Sequence, residues 1–172
     1  IHWLTLINAR GDDGKQYFVP ISYYPWAVFY RKSVFEKNGW AVPTTMDEMT
    51  ALMKDMQGKK LTPIAFAAKD AWAPMGTFDI LNMRLNGYDF HMELCQGKQK
   101  WDSPEVRNVF ATWKTLLPYQ QENSLGRTWQ EASTSMANGE CGMYLLGTFV
   151  VDGIPPEAAE DIDFFTFPAL DE

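Results

Sequence analysis

The chain has 172 residues, 46% of them hydrophobic and 22% charged, with a formal net charge of −7. That length suits one domain or one large lobe, and that balance supports a packed core and excludes a disordered chain. The negative charge and the absence of a basic run argue against nucleic acid and anionic membrane surfaces as partners, and no apolar stretch reaches membrane-spanning length.

Ile1–Ile7 is apolar and reads as a strand or a helix end. Gly11-Asp12-Asp13-Gly14 is a turn cluster. Lys15–Ile21 has strand composition and stops near Pro20; Tyr23–Tyr30 reads as a second strand entered through a kink at Pro25. Lys32–Asn38 is a short helix that Gly39 can end. A helix then begins at Pro43-Thr44-Thr45, where Thr45 and Glu48 make a capping box. Met46, Met49, Leu52, Met53 and Met56 form its apolar stripe, read as core because methionine fills irregular gaps. Pro63–Ala67 reads as a buried strand.

Lys69–Pro74 is a loop that carries Trp72 at that strand's carboxyl end. Met75–Leu85 is a helix closed by Asn86-Gly87, and His91–Gln96 is another helical turn, on which His91 reads as structural. Asp102-Ser103-Pro104-Glu105 is a helix start, with Val106, Val109, Phe110, Trp113, Leu116 and Leu117 tracing one face. Residues 118–127 are loop-like. Thr128 and Glu131 form a second capping box, so that Trp129 opens a helix that Asn138-Gly139 stops. Gly142–Leu146 is a buried strand with Gly147-Thr148-Phe149 at its carboxyl end, and Asp163–Phe167 is a last strand. Alternating strands and helices imply an α/β layer structure with a mostly parallel sheet flanked by helices. Open sheets of this class bind ligands at strand carboxyl ends.

Catalytic signatures are missing from the sequence: no G-x-S-x-G elbow, no Walker loop and no glycine-rich dinucleotide fingerprint. His2 and His91 lack zinc-ligand spacing, so neither a metal nor a cofactor is expected, and the chain is not read as an enzyme. Cys95 and Cys141 can form at most one disulfide, which the sequence leaves open. What remains is an excess of aromatics, 15% of the chain with seven tryptophans. Trp72, Trp129 and Phe149 sit on loops at strand ends, with Tyr23, Tyr24 and Trp26 near the first strand pair. The plain alternative is that these rings only fill the core. Sugars offer apolar C–H faces to rings and hydroxyls to polar groups; Asp70, Asp79, Arg84, Arg127 and Asn82 are the candidates for the second task.

From about Gly14 to Leu170 the chain resembles the extracellular solute-binding proteins of ABC sugar importers, the group of the maltose- and glycerol-phosphate-binding proteins. The matching pieces are Gly14-Lys15-Gln16-Tyr17-Phe18-Val19-Pro20 and Val28–Phe35. Pro43-Thr44-Thr45-Met46-Asp47-Glu48 is similar to the family's P-x-T-W-x-E helix start, with Met46 where tryptophan is usual. Trp129-Gln130-Glu131-Ala132 through Asn138-Gly139-Glu140-Cys141-Gly142-Met143 is similar to its E-A … F-x-x-G-x-A-A-M run.

The resemblance implies two α/β lobes of a type II periplasmic-binding-protein-like fold, with the sugar clamped between them. Residues 1–22 would be a remnant of the first lobe and hinge approach, and residues 23–172 the second lobe with crossing strands at both ends. Trp72 and Phe149 would stack on the sugar, with Trp129 facing the same cleft. The implied function is a carbohydrate-binding lobe, either a fragment or a truncated gene product, in the periplasm or outside the cell. Its implied partners are a sugar, held weakly by one lobe, and an ABC permease. The alternative is a stand-alone module that self-associates as a homodimer and has no transport role.

Overall fold

Four strands and six α-helices alternate along the residues that the structure, a computed structural model, describes: 10, 11, 13–19 and 21–170. The Ile1–Ile7 segment lies outside the described residues. In chain order the elements are β1 (Trp26–Arg31), α1 (Lys32–Asn38), α2 (Met46–Gly58), β2 (Thr62–Ile64), α3 (Trp72–Cys95), α4 (Pro104–Leu116), α5 (Trp129–Ala137), β3 (Cys141–Gly147), α6 (Pro156–Ala159) and β4 (Ile162–Phe165). Short 3-10 turns cover Leu117–Tyr119, Ser124–Gly126 and Thr148–Gly153.

The sheet order is β2-β3-β1-β4. β2 and β3 pair in parallel, while β1 is antiparallel to both β3 and β4. β2, β3 and β4 therefore run the same way and β1 runs against them. The α/β reading stands, and the mostly parallel expectation becomes a mixed sheet. Both antiparallel pairs belong to β1, one on each side of it. This register sets Trp26, the first residue of β1, beside Gly147, the last of β3. The beginning of one strand thus joins the carboxyl ends of the other two.

Two apolar layers flank the sheet, as alternating side chains demand. On one face, Val28, Tyr30, Ile64, Met143 and Phe165 meet the methionine stripe of α2 together with Phe35, Leu81, Val106 and Val109. On the other, Ala27, Phe29, Tyr144 and Leu146 meet Ala132 and Met136 of α5. Both expected capping boxes are formed, Thr45 with Glu48 at α2 and Thr128 with Glu131 at α5. Each hydroxyl accepts from the N3 backbone N–H, and each carboxylate returns to the cap N–H.

Four local readings are corrected. Lys15–Ile21 forms no ladder among the described residues; Arg10 and Gln16 make an isolated bridge, and Phe18, Val19 and Ile21 point to solvent. A strand needs a neighbour to satisfy its backbone groups, and no neighbouring strand is described there. The second strand begins at Trp26 rather than Tyr23, one residue after Pro25, whose carbonyl accepts from Thr148 N–H. Phe110 leaves the expected apolar face of α4 and is exposed, forming an outer aromatic cluster with Phe78, Trp101 and Trp113. Leu117, at the end of that expected face, is also exposed, on the 3-10 turn that follows α4. Cys95 and Cys141 are both free thiols.

Candidate functional site

Trp72 is not on a loop. It is the first residue of α3, following Ala71, which holds a left-handed φ of 61°. Trp129 likewise opens α5 behind its capping box. Phe149 lies on the 3-10 turn that leaves β3. These starts and exits all fall at the carboxyl end of the parallel pair, and the antiparallel register brings Trp26 to the same edge.

Phe149 is the hub of the resulting cluster. Its ring centroid lies 4.9 Å from Tyr24, 5.3 Å from Trp129, 5.6 Å from Trp72 and 6.4 Å from Trp26. Three of these contacts are edge-on, at interplanar angles of 82° to 88°, the arrangement the ring quadrupole favours. Two glycines make it sterically feasible. A Cβ at Gly147 would collide with the Phe149 ring and come within 3.0 Å of Tyr24, and a Cβ at Gly76 would collide with the Trp26 ring. Trp26, Trp72, Trp129 and Phe149 are only partly buried: their inner edges pack on the second core layer.

A groove of about 550 Å³ opens beside the cluster, lined by Tyr24, Trp26, Trp72, Met75, Gly76, Asp79, Ile80 and Met83. The helical members share one face of α3 at i, i+3, i+4 spacing from Trp72. Starting this helix at Met75, three residues late, hides that face in the sequence, and with it the places of Met75, Gly76 and Ile80. Asp79 supplies a carboxylate whose side chain is 47% exposed. Burial holds that carboxyl above its ordinary range, with His91 pulling the other way.

The remaining candidates lie apart from this groove. Tyr23 is 78% exposed on the segment before β1. Asp70 is exposed in the turn before α3, where its carbonyl accepts from Trp72 N–H at 2.8 Å. The Arg84 guanidinium donates to the Phe167 carbonyl. Arg127 donates to the Glu122 carbonyl at 3.2 Å and lines a separate polar cavity of about 490 Å³ with Gln57, Lys60 and Gln121. Asn82 is buried and bonded to His91. Among the described residues no cluster of His, Cys, Asp and Glu is placed to hold a metal ion, and no helix is long and apolar enough to cross a membrane.

An α/β lobe with an aromatic-walled groove at its strand ends defines the class of extracellular ligand-binding lobes. The chain belongs to the bacterial extracellular solute-binding protein family, whose model matches residues 1–169. It superimposes with a TM-score of 0.89 and 43% identity on the bacterial solute receptor AcbH, described as having an exclusive preference for β-D-galactopyranose; 97% of this chain covers 43% of that one. A chitin oligosaccharide binding protein follows with a TM-score of 0.86 and 30% identity, over 96% of this chain and 42% of that one. The multiple sugar-binding protein of Streptococcus mutans is 25% identical over 94% of this chain and 40% of its own length. The chain spans 30% to 40% of the length of the first curated relatives it matches.

Proposed function

We propose that this chain is the second lobe of a sugar-binding protein serving an ABC importer, and that the Phe149-centred cluster is its sugar platform. The observation that carries this reading is the groove itself. Partly buried rings of Trp26 and Trp72 border one open concavity, backed by Phe149 and Trp129, and one carboxylate, Asp79, stands on its wall. A pyranose needs both an apolar wall for its C–H face and an ionised acceptor that fixes a hydroxyl. The names of the relatives support a sugar, and the galactose receptor, at 43% identity, supports a hexose first. The role is binding rather than catalysis, outside the cytoplasm, with delivery to a permease.

In this reading residues 1–22 approach from a companion lobe and residues 23–172 form the lobe described. β1 and β4 are its crossing strands, paired from Val28↔Phe165 to Arg31↔Ile162. The run of exposed apolar side chains at Tyr17, Phe18, Val19, Ile21 and Tyr23 supports a packing partner for this approach segment. The same run favours a second reading, a lobe that self-associates.

Titration of the chain with D-galactose and with N,N′-diacetylchitobiose, followed through the indole N–H signals of the tryptophans, tests the proposal. Saturable shifts centred on Trp26, Trp72 and Trp129 are expected. Shifts at Trp101 and Trp113 instead, or none up to the solubility of the sugars, would reject it.

A further inference from the structure

Asp79 is the ionisable acid on a groove otherwise walled by Tyr24, Trp26, Trp72 and aliphatic or thioether side chains. On its inner side lies His91, with Nε2 at 3.9 Å from Asp79 Oδ1. The orientation of that ring follows from two amides, Asn82 buried and Asn86 half-buried. Asn86 Nδ2 donates to Asn82 Oδ1 at 2.8 Å, which occupies the Asn82 carbonyl and leaves its NH2 facing His91 Nδ1 at 3.0 Å. A ring nitrogen that receives an N–H must present its lone pair. With both amides in this orientation, the neutral imidazole carries its proton on Nε2, toward Asp79 and toward Cys95 Sγ at 3.8 Å.

This network exists because α3 is bent. In a straight helix residues nine apart lie about 13 Å apart along the axis, too far for Asn82 to touch His91. Gly87, at φ 82° and ψ 166°, leaves helical geometry and turns the Tyr88–Cys95 segment back on the first. Asn82 is 0% and His91 9% exposed, so neither ring nor amide can exchange its partner for water. Buried polar groups with every role assigned hold one arrangement.

We infer that His91 is the positioning residue for Asp79 in ligand binding: the Asn86–Asn82 pair turns His91 Nε2–H to the inner oxygen of the carboxylate, leaving the outer oxygen to accept a ligand hydroxyl. The inference rests on the sugar reading of the groove and adds a residue that touches no sugar. At 3.9 Å the contact is longer than a closed hydrogen bond, so His91 acts as an oriented dipole and a wall. A ligand that displaces water from the exposed half of Asp79 makes the carboxylate depend on that dipole more strongly. The other titratable groups at Asp79 are Cys95 on the same helix and Tyr24 across the groove.

The test uses the whole chain with D-galactose as probe. The sequence has two histidines, His2 and His91, so His91→Gln assigns the ring signals of His91 in nitrogen-detected spectra. In the wild type Nδ1 should appear unprotonated and Nε2 protonated, and galactose should shift the Nε2 signal saturably. The opposite tautomer overturns the inference, whether or not any variant folds. His91→Gln should weaken galactose about two- to three-fold, less than a closed hydrogen bond is worth, and Asp79→Asn should weaken it further. Affinity should fall as acid protonates Asp79, and in His91→Gln that fall should begin at higher pH. If galactose still perturbs Trp72 while His91→Gln keeps wild-type affinity and pH profile, the inference is overturned and the sugar reading survives. If neither galactose nor N,N′-diacetylchitobiose perturbs Trp72, the sugar reading fails and the inference falls with it.

Discussion

Phe149 touches four rings, whereas Trp72 opens α3, touches three and turns one side to the groove. The two substitutions should therefore separate. Phe149→Ala empties a site at the centre of the cluster and should cost about 2–3 kcal/mol, below the range for a fully buried phenylalanine because the ring is only partly buried. Trp72→Ala should cost roughly 1 kcal/mol of stability and most of the sugar affinity. Urea denaturation and galactose titration of both variants check this. Equal stability losses with unchanged binding would make both residues core.

The two thiols differ for an equally local reason. Burial, reinforced by Glu140, pushes the Cys141 thiol up to about 12, so it stays protonated and inert. Cys95 is exposed, though burial and Asp79 also raise its thiol. Ellman's reagent should label Cys95 alone in the native chain, slowly, and Cys141 only after unfolding. Rapid labelling of both would contradict the buried position of Cys141.

At the scale of elements, Asp161 ties the sheet to its helices. Its carboxylate accepts from Arg31 Nε at 2.8 Å, from Ser33 N–H at 2.8 Å and from the Ser33 hydroxyl, while Arg31 also donates to the Ala137 carbonyl at the end of α5. The Arg31–Asp161 pair thus joins the end of β1, the start of α1, the entry to β4 and the exit of α5. Burial alone would raise the Asp161 carboxyl, but the Ser33 bonds and the Arg31 guanidinium outweigh it and hold the group below its ordinary value. A depressed folded value stabilises the native state above the unfolded value of about 3.9, and the gain disappears as pH falls through the folded value. Asp161→Asn should lose about 1–2 kcal/mol at neutral pH, with the difference vanishing in acid. A gap between wild type and variant that is constant with pH would show that shape, not charge, matters at this position.

What could be read in advance at this scale was what depends on near neighbours. Thr45 with Glu48, and Thr128 with Glu131, announce their helices because a capping box closes within four residues. The methionine stripe of α2 announces a core face because its period is local. The start of α3 did not show, since Trp72 follows Ala71 in a left-handed conformation that a proline at Pro74 and small flanking residues disguise as a loop. The groove stayed hidden with it. Arg84 and Arg127 lie near the aromatics in sequence yet spend their guanidinium groups on the Phe167 and Glu122 carbonyls, a choice made by tertiary partners that no local pattern encodes. The antiparallel course of β1 escaped for the same reason, because strand order is set by long-range pairing.

At the scale of the whole molecule, a single lobe offers one wall of a site that, in the proposed reading, lies between two. A site of micromolar affinity is worth about −8 kcal/mol, and half of its contacts leave about −4 kcal/mol, close to millimolar. The chain alone should therefore bind hexoses in the millimolar range. Its approach segment presses in the other direction. Phe18 and Val19 are each 74% exposed, Ile21 95% and Tyr23 78%, a concentration of exposed apolar side chains of the kind that marks an interface. Among the described residues the backbone of 17–19 joins no ladder, the Phe18 carbonyl accepting only from the Gln16 side chain, so a second copy can pair along it. The chain should thus associate through this segment at high concentration, and sedimentation velocity should show a dimer that grows in with loading. Ile21→Lys together with Tyr23→Lys should return a monomer with an unchanged melting temperature, because neither side chain packs in the core. A wild type that stays monomeric up to millimolar concentration would refute the association, and a double variant that still dimerises would place it elsewhere; micromolar galactose affinity would mean that this lobe holds more of the site than one wall.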